Sequence, residues 1–246
     1  MIAPGFRWDQ SSRAVLGDAL VRLGPTHCVV EVRPDEIVVA EQLSGGRRDR
    51  GGAARLLDCG AAVSTAWTVL RVLGREPVVT FPADPDRPDV VAVVRAGAAR
   101  TPASAEWARY VSLRKLDEPP ASPPLRPVSL AVLGALAADD FWPDTTVRLV
   151  RPEWAPTLKQ LGADLTGQSP LLITTPGDSR RHHVLAGAAL HTTRLAAAVR
   201  GFASRPVPLP LLAPGERARH AEESLLPGIP QALLLVGFAT RKRGKS

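Results

Sequence analysis

Ser112-Leu113-Arg114-Lys115, with Arg109 three residues before it, is the stretch whose side chains best suit a chemical task. A hydroxyl two residues from a guanidinium, with a second cation adjacent, matches a cluster of anionic oxygens such as a phosphate. Charge-assisted hydrogen bonds of this type contribute about 1.5–3 kcal/mol each. Such a short string also occurs as an ordinary exposed basic turn. The other reactive side chains form weaker patterns. His182, His183 and His191 fall on one helix, but no further ligand with suitable spacing accompanies them, so the expectation is no metal. His27 adjoins Cys28, yet neighbouring strand residues point to opposite faces. Asp139-Asp140 reads as a helix-end loop, not an acid/base pair, and no catalytic side chain stands out.

Composition narrows the possible classes. The 246 residues, 45% hydrophobic and 22% charged, describe an ordinary globular chain with ample core. No apolar run reaches the roughly 18–20 residues needed to span a bilayer, and residues 1–13 do not read as a secretory leader, so no membrane partner is expected. Two cysteines, Cys28 and Cys59, make neither a disulfide framework nor a zinc spacing, which suits a reducing cytoplasm. The net charge of +7 is carried mostly by dispersed arginines. Aromatic residues for base stacking are few, which argues against nucleic acid. Arg47-Arg48-Asp49-Arg50 and the tail from Arg241 to Lys245 read as solvated basic segments.

The elements that would position these residues follow from periodicity and punctuation. A helix capped by Ser11 or Ser12 runs to Arg22. Strands follow at Cys28–Val32 and Ile37–Ala40, and a long helix spans Ala53–Leu73, with Gly74 as its stop. Pro77–Phe81 reads as a strand and Pro88–Ala96 as a short helix ended by Gly97. After a Pro-rich connection, Pro127 opens a helix to Ala138. Val147–Val150 and Pro170–Thr175 read as strands, Ala155–Leu161 as a helix, and Arg180–Arg200 as a second long helix ended by Gly201. Ser204–Pro214 reads as a loop, Gly215–Ser224 as a helix and Ala232–Phe238 as a buried strand.

The two parts of the chain repeat each other. Ala14-Val15-Leu16-Gly17 returns as Ala131-Val132-Leu133-Gly134, and Val32-Arg33-Pro34-Asp35 as Val150-Arg151-Pro152-Glu153. In the long helices, Gly60-Ala61-Ala62, Thr65 and Gly74 match Gly187-Ala188-Ala189, Thr192 and Gly201. This predicts an internal duplication, with halves at residues 1–105 and 106–246. Gly-Ala-Ala in both helices suits close backbone approach about a pseudo-two-fold axis.

Taken together, the sequence resembles the flavin-dependent nitroreductase family, most of all its Acg-like branch of two fused halves. The likeness is carried by the order and spacing of several segments. They are Leu57-Asp58-Cys59-Gly60-Ala61-Ala62 with Gly74-Arg75-Glu76-Pro77, Val111-Ser112-Leu113-Arg114-Lys115-Leu116 with Asp117-Glu118-Pro119, Leu171 to Asp178, and Pro230 to Phe238. The resemblance implies an α+β fold of two pseudo-symmetric halves, each a mainly antiparallel sheet flanked by helices, with FMN at their junction. Ser112 and Arg114 would hold its phosphate, helped by Arg241 or Arg243 after the last strand. Tyr110 and Val111 stand where the family signature has paired basic residues, so Arg109 would serve from another register. The loop offering a backbone N–H to the flavin would be Arg205–Leu209. Pro208 has no N–H to offer, which leaves Val207 and Leu209 as the nearest candidates. The implied activity is an FMN-dependent oxidoreductase drawing on NAD(P)H and passing electrons to a small acceptor, nitroaromatic or quinone-like. It would act as a monomer with an internal pseudo-dimer or as a homodimer. The alternative is a non-catalytic relative that has lost flavin, or only sequesters it, and serves as a binding or assembly partner.

Overall fold

A computed structural model describes residues 6–23, 27–42, 52–113, 116, 125–160, 170–207, 209, 216–223 and 226–239. The first part of the chain runs α1 (Gln10–Val21), β1 (Cys28–Val32), β2 (Glu36–Glu41), α2 (Ala53–Val72), β3 (Arg75–Thr80), β4 (Val90–Ala99). The second runs α3 (Ser104–Leu113), β5 (Arg126–Pro127), α4 (Leu130–Ala138), β6 (Thr146–Leu149), α5 (Ala155–Gln160), β7 (Pro170–Thr175), α6 (Arg180–Val199), β8 (Ala203–Val207), α7 (Glu216–Glu223), β9 (Ile229–Phe238).

Every strand pairing is antiparallel, and the strands form two sheets. The first has the order β1-β2-β4-β3. The second contains β6-β7-β9, with β8 on β9 and the short β5 pairing the end of β9. The molecule is therefore α+β, with two antiparallel sheets flanked by helices. Counted from β1 and from β6, the main strands of both sheets follow the same order: first, second, fourth, third.

Several elements differ from the sequence reading, each for a physical reason. The segment read as a helix from Pro88 is strand β4. Val90, Val91, Val93 and Val94 are β-branched, and Val93 and Val94 pair with β2 on one side and β3 on the other. Gly97 lies within β4 at the register shift opposite Arg75 and Pro77, and a Cβ there would lie 2.9 Å from the Glu76 carbonyl oxygen. The glycine permits close strand approach instead of ending a helix. Ala203–Val207, read as part of a loop, is strand β8 on the outer side of β9, where Pro206 is tolerated. Helix α1 is capped by Asp9, whose carboxylate accepts from the Ser12 N–H at 2.7 Å. Pro127 belongs to β5, and α4 starts after Ser129, which caps it.

Helices α2 and α6 sit back to back between the sheets, and two glycines set their separation. A Cβ on Gly60 would lie 2.1 Å from the Val184 carbonyl oxygen, and one on Gly187 would lie 2.1 Å from that of Leu57. Only glycine fits at this crossing. The helix ends have matching stops, Gly74 at φ 73° and Gly201 at φ 78°. The main core joins both sheets and both helices through Leu16, Ile37, Leu56, Leu70, Leu136, Leu171, Ile173 and Leu185. Leu172 and Leu233 face a second cluster with Trp154, Leu158 and Leu209. Strands β7 and β9 thus have both faces covered, which explains their unbroken apolar runs.

Buried charge clusters brace this frame. Glu41 accepts from Arg55 at 2.8 Å and from Arg180 at 2.9 Å, joining β2 to the N-terminal ends of both long helices. Glu106 takes Arg71, Arg100 and the Ala103 N–H, tying α3 to the end of α2. Burial would raise the Glu106 carboxyl, but Arg100, the Ala103 N–H and Arg71 outweigh it and hold it below its ordinary value.

Candidate functional site

A cleft of about 260 Å³ opens beside the α2–α6 crossing. Helix α2 contributes Ala54, Leu57, Asp58 and Ala61 to its wall, and α6 contributes Gly187, Leu190, His191 and Arg194. Pro206 and Val207 of β8 and Gln231 and Ala232 of β9 complete it. The wall therefore draws on both parts of the chain. It is mostly apolar, with a few polar groups converging on it, as small-molecule sites are.

Two of those polar groups are buried and incompletely paired among the described residues. His191 is 2% exposed; its Nδ1 lies 3.2 Å from Ser64 Oγ and its Nε2 has no hydrogen-bond partner. Gln231 is equally buried, and its Oε1 has none. Burial, reinforced by the Arg194 cation, pushes the His191 imidazole down to about 3, so the ring is neutral at physiological pH. An unsatisfied buried polar atom costs about 1–3 kcal/mol, so His191 Nε2 and Gln231 Oε1 on one cleft lining point to something that binds there.

A polar cluster behind the wall holds Gln231. Its amide nitrogen lies 2.8 Å from Thr175 Oγ1, 3.3 Å from the Gly177 carbonyl oxygen and 3.2 Å from Asp178 Oδ1. Asp178 in turn meets His183 at 2.7 Å and Arg217 at 3.2 Å. The His183 hydrogen bond, helped by the Arg217 charge, holds the Asp178 carboxyl down at about 2 despite its burial. This cluster anchors α7 and the start of α6 to β9.

The residues expected from sequence are dispersed. Val207 lines the cleft, whereas Leu209 packs into the second core cluster. Ser112 is buried near the end of α3 and is not part of the cleft wall. The Arg109 guanidinium lies 5.8 Å from the centre of the Phe141 ring, a cation–π contact. Arg114, Arg241 and Arg243 lie outside the described residues. His191, Arg194 and Gln231 were not anticipated as a group. The one signal for Gln231 was its polarity at the head of an otherwise apolar strand. In the sequence, His191 stands out only for its place on a helix shared with His182 and His183.

A second cleft, of about 440 Å³, lies beside β3 and β4 of the first sheet. Phe81 and Pro82 follow β3, Val90 and Val91 open β4, and Ser179, Arg180 and Arg181 come from the start of α6. Its cations are occupied. Arg180 reaches Glu41 and the Pro88 carbonyl; Arg181 pairs with Asp144 at 2.7 Å and lies over the Phe81 ring.

No family model matches the sequence, and no curated protein matches it. Among solved structures, the chain is similar to a crystal structure of a protein from Anabaena variabilis ATCC 29413 named as a candidate nitroreductase. The TM-score is 0.54, and the match covers 95% of this chain and 74% of that one at 11% identity. The fold is nitroreductase-like. At that identity the likeness speaks for the fold alone. Within this nitroreductase-like frame, the cleft between α2, α6 and the β8–β9 pair is the candidate site. No helix among the described residues is long and apolar enough to cross a membrane.

Proposed function

We propose that the protein is an FMN-dependent oxidoreductase of nitroreductase type, with the flavin ring in the cleft between α2, α6 and β8–β9. The observation that carries this reading is an apolar cleft whose lining includes His191 and Gln231, each with a buried polar atom without a partner among the described residues. The residues present fit a flavin ring. Leu57, Ala61, Leu190 and Val207 offer surface to its faces, His191 and Gln231 offer hydrogen bonds to its polar edge, and Arg194 brings positive charge to the same wall. Ser112, Arg109, Arg114, and Arg241 or Arg243 are the groups that would hold the phosphate. When bound, FMN supplies the hydride and electron transfer, from NAD(P)H to a small nitroaromatic or quinone-like acceptor. The protein's part is to position the ring and exclude water, and it needs no nucleophile of its own.

The same reading takes residues 1–105 and 106–246 as duplicated halves, so that one chain supplies both walls of the site. The shared strand order and the Gly60–Gly187 crossing support it. A second reading, a non-catalytic relative that serves as a binding partner, is favoured by the burial of Ser112 away from this cleft.

Purification followed by an absorbance spectrum and FMN titration separates the two readings. Flavin bands, or saturable uptake of FMN with NADPH-dependent reduction of a quinone, are expected. Colourless protein that takes up no FMN supports the second reading.

A further inference from the structure

The two unpartnered atoms have definite hydrogen-bonding roles, which follow from a chain of buried contacts. Trp142 Nε1 can only donate, and it lies 2.9 Å from Thr192 Oγ1. Thr192 Oγ1 lies 2.9 Å from Ser64 Oγ, which lies 3.2 Å from His191 Nδ1. The indole hydrogen and both hydroxyl hydrogens find acceptors if Thr192 donates to Ser64 and Ser64 donates to His191. In the reverse order, the buried Thr192 hydroxyl hydrogen has no acceptor among the described residues. The ordered chain makes Nδ1 the acceptor and assigns the proton to Nε2. His191 is then a neutral N–H donor on the cleft wall.

Gln231 is fixed in the opposite sense. Thr175 Oγ1 gives its own hydrogen to the Gly177 carbonyl at 2.7 Å, and so accepts from the Gln231 amide nitrogen. The Gly177 carbonyl and Asp178 carboxylate are acceptors as well. A flipped amide would set its oxygen against these acceptors. The Gln231 oxygen is therefore held as an acceptor, and only a donor can satisfy it.

We propose that His191 and Gln231 together read the edge of a flat heteroaromatic ring that carries both a carbonyl-type acceptor and a ring N–H. This inference rests on the flavin reading above and specifies it. The imide edge of a flavin offers both kinds of group. A quinone or nitroaromatic offers acceptors only and would leave Gln231 unsatisfied. The pair thus selects the cofactor ring over its electron acceptors at this wall.

The test is titration of the full-length protein with FMN and with FMN methylated at its ring imide nitrogen, read by flavin fluorescence. Methylation is expected to weaken binding to the wild type about tenfold or more, the scale of one lost hydrogen bond that leaves a buried partner bare. Gln231→Ala is expected to bind the two ligands equally, and His191→Phe to weaken both alike. Melting curves check that both variants are folded, and the wild-type comparison needs neither variant. Equal wild-type affinity for the two ligands would overturn the inference and leave flavin binding intact. Failure of the wild type to bind either ligand would overturn the inference and the flavin reading together.

Discussion

The two clefts each lie beside the third and fourth strands of sheets of matching strand order, yet their polar groups are handled in opposite ways. Beside β3–β4, Arg180 and Arg181 meet Glu41, the Pro88 carbonyl, Asp144 and the Phe81 ring, so the cations serve as internal struts. Beside β8–β9, His191 Nε2 and Gln231 Oε1 are buried without partners among the described residues, although Ser64 and Thr175 hold the other ends of the two side chains. One topology thus gives a braced joint and a receptive site. The feature that separates them is where hydrogen-bonding capacity is left over. The size of the clefts does not distinguish a site, since the braced one is the larger.

Breaking the frame common to both clefts should have the largest effect. Gly60→Ala or Gly187→Ala would drive a methyl group into the backbone of the opposite helix. Each is expected to cost about 3 kcal/mol or more, read as a fall in denaturant midpoint. Next is the support behind the receptive cleft. Asp178→Ala leaves Arg217 and His183 buried without their carboxylate, and a loss of about 3 kcal/mol is expected, with weakened FMN binding. Arg181→Gln probes the braced cleft and sharpens the contrast. Its half-exposed pair with Asp144 is expected to contribute under about 1 kcal/mol, with FMN affinity unchanged.

Acid provides a graded test of the receptive wall. An unfolded histidine takes up a proton near its ordinary value of 6.5, whereas folded His191 resists until about 3. Stability is therefore expected to fall as pH drops through that window, by up to about 1.4 kcal/mol per pH unit from this one group. Asp178, held at about 2 against an ordinary 3.8, adds its own loss only between those values. Denaturation curves from pH 7 to 4 should show the slope in the wild type, and His191→Phe should flatten it.

Local pattern was enough for α2 and α6, whose lengths and glycine stops agree with the reading from periodicity, and for the unbroken apolar runs of β7 and β9. It failed where partners outweighed punctuation. Val90–Ala99 carries a glycine that resembles a helix stop, but pairing on both sides makes it a central strand. Ala203–Val207 contains a proline that suggests a loop, but its place outside β9 accommodates that proline.

The candidate site was less legible than the fold. Ser112 and Arg114 stand out in the sequence because a hydroxyl and a cation lie close together, but Ser112 is buried off the cleft wall. The pair on the wall, His191 and Gln231, carries no local signature. His191 owes its role to Ser64 and to Trp142, and Gln231 owes its role to Thr175, Gly177 and Asp178. By itself the sequence determined the long helices α2 and α6, most of the strands and the small residues that let those helices touch, because these depend on near neighbours and on side-chain size. Only the tertiary structure decided which polar atoms were left unsatisfied, because a hydrogen bond is completed or withheld by groups that folding brings from distant parts of the chain.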